Sequence, residues 1–205
     1  MPCLRGYPAS HIAADMRATL ESAGKALPSE VRSYDDPLAV LTWTASVYAS
    51  EIARVEQVLQ DGEKLAVETA QQTPHLEDML DAAASTGRPV VIVSNNSRVA
   101  IGKYMMKHGL SAKIAGIIGR PIGKPLKMKP APHLLDQATK LLGLPINACT
   151  MIGDSATDVI AAQRAGARSI GFAKNEQRAQ TLKDSGAGVV VHSLTPLIDA
   201  LLETR

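Results

Sequence analysis

Aromatic side chains are scarce in this chain of 205 residues: one Trp, one Phe and four Tyr, 3% in all. Platforms that stack nucleic-acid bases need such rings, so a nucleic-acid role is the weakest option. An excess of one charge is lacking too. Lys and Arg number 22 against 20 Asp and Glu, and a net charge of +2 gives no broad basic face. Cysteine is limited to Cys3 and Cys149, at no spacing that suits a zinc site or a disulfide framework, and Cys149 reads as a small packed hydrophobe. No apolar run approaches the ~18 residues of a membrane span. No signal-peptide core follows Met1. No membrane association and a cytoplasmic location are the expectations.

What is present is an ordinary folded composition, 45% apolar and 20% charged, in a length that suits one domain or a domain with a modest insertion. The pattern changes near residue 70. Before it, Ile12, Met16 and Leu20 recur at helical steps, and Ile52, Val55, Leu59 and Ala66 form a second stripe. Asp35-Asp36-Pro37 reads as a turn feeding a helix start. Residues 8–69 are thus expected to form a helical unit, and residues 70–205 an α/β unit. In the latter, a helix at 74–85 is followed by apolar β-branched runs at 90–93, 114–118, 149–152, 168–172 and 189–191. Helical stretches at 98–108, 131–142, 156–165, 175–184 and 194–203 alternate with them. This alternation predicts a Rossmann-like parallel sheet flanked by helices, with strands buried on both faces. Pro121, Gly123 and Pro125 make 120–128 a loop without regular structure.

Three segments carry chemistry: VIVSNNS at 91–97, MKPAP at 128–132 and MIGDSATD at 151–158. Ser94 and Asn95 follow a strand and precede a helix, where ligands gather at the carboxyl ends of parallel strands. A hydroxyl and backbone donors there suit a phosphoryl oxygen, although Ser and Asn are equally ordinary helix caps. Lys129 leaves a proline-stiffened entry to a helix and could balance a phosphate charge. Alternatively, it belongs to a solvated basic loop with Arg120, Lys124 and Lys127. Asp154 and Asp158 follow a strand end at Gly153, a position from which two carboxylates can face Mg²⁺. Asp158 could instead simply complement a helix N-terminus. The five histidines, His11, His75, His108, His133 and His192, show no ligand spacing.

Taken in order, the three segments resemble the second, third and fourth motifs of the haloacid dehalogenase-like hydrolases, of the phosphoglycolate phosphatase-like type. The resemblance covers residues 69–195 and gives the helical unit the position of that family's cap domain. It implies a Mg²⁺-dependent phosphatase acting on a small phosphorylated metabolite through an aspartyl phosphate. Ser94 and Lys129 would be catalytic, Ser94, Asn95 and Lys129 would hold substrate, and Asp154 with Asp158 would hold the metal. A dehalogenase of the same fold would leave the two acids unexplained. A phosphomutase and a non-catalytic phosphate- or metal-binding relative remain open, as do the substrate and the oligomeric state.

The family's first motif, an Asp-x-Asp that ends the central strand and supplies the nucleophile, has no counterpart here. Its nearest imitation, Asp15 with Thr19 and Leu20, lies on a helical stripe. The chain is therefore expected to be inactive as given. The strands at 90–93 and 149–152 must then either pair directly or leave edges open. The expectation is that the natural reading frame continues upstream of Met1.

Overall fold

The structure is a computed structural model and describes residues 7–203. Cys3, and the expectation about the start of the chain, lie outside the described residues. The first part is helical: α1 (Ala9–Ser22), the short α2 (Ser29–Arg32), α3 (Pro37–Val47) and α4 (Ile52–Thr69). Asp36 starts α3, its carboxylate accepting the Leu38 N–H at 2.9 Å, with Pro37 at the first helical position. The two expected stripes face each other. Ile12, Met16 and Leu20 of α1 pack with Val40 and Leu41 of α3 and Val55 and Leu59 of α4 in a single buried cluster. Asp15 lies on the exposed side of α1 and accepts a hydrogen bond from the Tyr7 hydroxyl.

From α5 (Leu76–Ser85) onward, strands and helices alternate: β1 (Val91–Val93), α6 (Arg98–Lys107), β2 (Gly116–Ile118), α7 (His133–Leu142), β3 (Thr150–Gly153), α8 (Ala156–Ala165), β4 (Arg168–Phe172), α9 (Glu176–Asp184), β5 (Val189–Val191) and α10 (Thr195–Glu203). All pairing is parallel, but it forms two sheets rather than one. β1 pairs with β2, and β3–β4–β5 form the second sheet. Successive residues of β1 face opposite ways. Ile92 joins a cluster with α5, α6 and α10 that also takes Phe172 of β4. Val93 joins Leu135 of α7, Ala161 of α8 and Met151 of β3. Each cluster draws on both sheets, so the two lie in one interrupted layer with helices on both faces.

Two expectations are corrected. The strands are not buried on both faces: β1 is half-buried throughout, and Ile152 of β3 is 38% exposed. Part of the reason is lateral: β1 and β3 do not pair with each other, and each leaves one edge without a strand partner among the described residues. The 120–128 loop is not wholly irregular either. Pro125–Lys127 form a single 3₁₀ turn, with Pro125 at its first position where no N–H is needed.

Lys107 of α6 donates to the carbonyls of Val67 and Glu68 at 2.9 and 2.6 Å, closing the C-terminal end of α4 onto the α/β unit. No helix among the described residues is long and apolar enough to cross a membrane. Cys149 is a free thiol, half-buried, with its Sγ 3.6 Å from the Pro145 carbonyl oxygen.

Candidate active site

The carboxyl ends of β1 and β3 meet across the interruption in the layer, and one side chain spans them. The Lys129 ammonium donates to the Val93 carbonyl at 2.9 Å and to Asp158 Oδ1 at 2.5 Å. The Lys129 and Asp158 side chains are only 8% and 7% exposed, so the pair is a buried one. The alternative of a solvated basic loop therefore fails for Lys129. An ammonium has three N–H donors. Two are committed here, to Val93 and Asp158.

The backbone of Lys129 is fixed just as firmly. Its N–H donates to Asn95 Oδ1 at 2.8 Å, and its carbonyl accepts from Asn95 Nδ2 at 2.9 Å. Asn95 thus grips the lysine main chain with both ends of its amide. Ser94 lies between Val93 and Asn95, both of which touch Lys129. It is buried, and its Oγ accepts the Asn96 N–H at 3.2 Å. The capping role considered for Ser94 and Asn95 belongs to Ser97, which accepts the Ala100 N–H at 3.3 Å at the start of α6. Neither Ser94 nor Asn95 caps α6.

Asp158 does cap a helix. Ser155 and Asp158 form a reciprocal box at the start of α8: Ser155 Oγ accepts the Asp158 N–H at 3.3 Å, and Asp158 Oδ2 accepts the Ser155 N–H at 3.1 Å and its hydroxyl at 2.8 Å. With Lys129 on Oδ1, three of the carboxylate's roughly four lone-pair positions are taken. Gly153 makes this packing possible, because a Cβ there would fall inside the Asp158 side chain. Asp154 follows Gly153 at the end of β3.

Among the described residues, no three of His, Cys, Asp and Glu gather where a metal could sit. Two carboxylates, Asp154 after the end of β3 and Asp158 in the first turn of α8, offer oxygen here. That set suits Mg²⁺, which takes one or two carboxylates and keeps water or phosphate in its other positions. Three histidines have contacts of their own. His75 pairs with Asp78, and the His108 and His192 rings rest on the carbonyls of Ala70 and Ala173.

Arg120 escaped the sequence reading. Placed there in the same basic loop, it is buried, with its side chain 1% exposed, between Glu56 and Glu63 of α4. A signal was available. Glu56 and Glu63 stand seven residues apart, two helical turns, beside the apolar stripe of α4, and acids on the buried face of a helix need a cation.

Comparison with known proteins bears on the family and the fold. The family model of the haloacid dehalogenase-like hydrolases matches residues 10–166. A phosphoglycolate phosphatase from Neisseria meningitidis is 32% identical over 99 residues, 48% of this chain and 41% of that protein. A phosphoglycolate phosphatase from Aliivibrio fischeri is 26% identical over 153 residues, 75% of this chain and 65% of that protein. The chain thus spans less than two thirds of the length of either relative. Among solved structures, a hydrolase from Pseudomonas syringae aligns with a TM-score of 0.68 at 19% identity, covering 95% of this chain and 92% of its own. A HAD family hydrolase from Deinococcus radiodurans, solved with bound phosphate and sodium, gives 0.62 at 23%, covering 96% and 90%. At such identities these two structures speak for the fold. The match over most of its length makes this chain a member of the haloacid dehalogenase-like hydrolase family.

Proposed function

We propose that the carboxyl ends of β1 and β3 bind the phosphate group of a small phosphorylated metabolite, as part of a HAD-type phosphatase. In this reading residues 8–69 are a helical cap on the α/β core of 70–205, and the protein acts in the cytoplasm. The observation that carries the proposal is the buried Lys129 ammonium, which joins the end of β1 to Asp158 with two of its three N–H donors. A phosphoryl oxygen is the ligand that the third donor, beside the Ser94 hydroxyl and the N-terminal end of α6, would attract.

Each residue then has a distinct task. Ser94 and Lys129 hold and neutralise the transferring group, a role whose value grows in a water-poor site. Asn95 holds the Lys129 main chain in register. Asp158 aims the Lys129 ammonium and caps α8, so its share in any metal is the smaller one. Asp154 supplies the main carboxylate for Mg²⁺, which when bound would offset charge on the phosphate oxygens.

The family's reaction passes the phosphoryl group to an aspartate. None of the acids placed here takes that part: Asp15 faces outward on α1, and Asp158 is committed to Lys129. We accordingly propose that the 205-residue chain by itself binds phosphate and Mg²⁺ without turnover.

Thermal melts in inorganic phosphate, with and without Mg²⁺, test the reading. The melting temperature should rise with phosphate, and Mg²⁺ should add to it. Lys129→Met should remove the phosphate response, and Asp154→Asn the Mg²⁺ increment. Hydrolysis of p-nitrophenyl phosphate should stay at background. A metal-dependent rate lost in Asp154→Asn would overturn the no-turnover part, and a melt indifferent to phosphate would overturn the site.

A further inference from the structure

Below the proposed phosphate site lies a second layer of charge. Arg120 is clamped by two carboxylates of α4: its Nε donates to Glu56 Oε1 at 3.0 Å and its Nη1 to Glu63 Oε1 at 2.6 Å. The second oxygens of both acids are also used, and by backbone. Glu56 Oε2 accepts the Gly123 N–H at 2.6 Å, and Glu63 Oε2 accepts the Ser97 N–H at 2.9 Å. Arg120 in turn donates from Nη1 to the Asn95 carbonyl at 2.9 Å and from its own N–H to the Asn96 carbonyl at 2.8 Å.

Asn95, Asn96 and Ser97 are therefore each held by this cluster. They form the turn between β1 and α6, and Asn95 is the residue that grips Lys129. Gly119 adds a close approach from below: a Cβ there would overlap the backbone of Arg98 and Asn96. A continuous hydrogen-bonded path runs from Glu63 through Arg120, Asn95 and Lys129 to Asp158. The guanidinium is suited to the task, because its planar fork carries donors on separate atoms, Nε toward Glu56 and Nη1 toward Glu63 and the Asn95 carbonyl, whereas a lysine's donors all sit on one atom.

We infer that Arg120, held by Glu56 and Glu63, is the positioning residue of the phosphate-binding turn, so that α4 of the helical unit sets the geometry of the anion site. The inference rests on the phosphate reading for its functional meaning, while its structural content, control of the 95–97 turn, stands apart from it. Arg120 and its two acids touch no substrate in this scheme. They act through Asn95 and Ser97.

Glu63→Gln in the full chain is the sharpest probe. The amide keeps the size and can still accept from Arg120, but it places either an acceptor or a second donor before the Ser97 N–H, not both acceptors at once. Arg120→Lys is the second variant, keeping the charge and losing the fork. Lys103→Ala is the control: it loosens the exposed seam between α6 and α4, where Lys103 pairs with Glu68, without touching the turn. Calorimetric titration with inorganic phosphate should show affinity about tenfold weaker in Glu63→Gln and Arg120→Lys, the scale of one hydrogen bond to a charged group. Lys103→Ala should match the parent. Amide exchange at Ser97, measured without ligand, should quicken in the first two variants only. Unchanged phosphate affinity together with unchanged Ser97 exchange in both variants would overturn the inference. If the parent itself takes up no phosphate, the functional reading falls and Ser97 exchange alone decides whether Arg120 positions the turn.

Discussion

The helical unit and the strand layer bury their apolar residues to different depths. In the helical unit, Ile12, Met16, Leu20, Val40, Leu41, Val55 and Leu59 are all essentially inaccessible. In the strand layer, Val91, Ile92 and Val93 are half-buried and Ile152 is 38% exposed, although their sequence is at least as apolar. The contrast follows from where each element finds its hydrogen bonds. A helix satisfies its backbone internally, so three helices need only pack side chains to close a core. A strand needs a neighbour on each side. Lateral pairing stops at β1 and β3, as it does at β2 and β5, and the apolar side chains there stay partly wet. The candidate site occupies the carboxyl ends of β1 and β3, and Lys129 is the polar bridge across the interruption.

Truncation in the two regions should expose this contrast most strongly. Leu59→Ala removes a side chain with no solvent contact and should cost about 2–5 kcal/mol. Ile152→Ala should cost roughly 1 kcal/mol, because part of that side chain is already hydrated. Denaturant unfolding of both variants measures the difference. Equal losses would mean that Ile152 is covered in solution and that the strand layer is as closed as the helical core.

A middle-sized effect is expected at Gly153, where the strand layer meets the site. Gly153→Ala forces a methyl into the Asp158 side chain, an overpacking that costs about 1–3 kcal/mol. The more telling readout is chemical. With Asp158 displaced, the Lys129 ammonium loses its aiming partner, and the phosphate-dependent rise in melting temperature should shrink. A variant that is destabilised yet keeps its full phosphate response would separate the Asp158 cap from the anion site.

What could be read in the sequence, and what could not, divides along the same line. Local pattern is written in adjacent residues, so the helices, the parallel strands and the three chemical segments were legible, and α8, β4 and β5 fell at their expected bounds. Lateral pairing is not local. Nothing in VIVSNNS or MIGDSATD says which strand lies beside which, so direct pairing and open edges both stayed possible for 90–93 and 149–152, and the structure takes the second. The roles of the serines turned on the same limit. Four cap-type residues, Ser94 to Ser97, precede α6, and only the course of the backbone shows that Ser97 takes the cap and Ser94 does not. Arg120 was hidden because its partners stand 57 and 64 residues away, on an element assigned to the other unit. Its loop neighbours Lys124 and Lys127 are exposed, as a basic loop should be, and composition alone could not tell the buried guanidinium from the wet ammonium groups beside it.

The smallest effect is expected at the surface of the contact between the two regions. Lys103 of α6 pairs with Glu68 of α4 in solvent, and its hydrogen bond and charge hold the Glu68 carboxyl below its usual range. A carboxylate lowered on folding stabilises the native state above its unfolded pKa, and that contribution is lost as the pH falls through the folded value. Glu68→Gln should therefore melt slightly lower than the parent at neutral pH, and the two should converge in acid. Salt should shrink the neutral-pH difference as well. Exposed pairs of this kind contribute little, far less than a break in the buried Arg120 cluster a few turns along the same helix. A larger loss from Glu68→Gln than from Glu63→Gln would place the weld between the regions at the rim instead of in the buried charge beneath the phosphate turn.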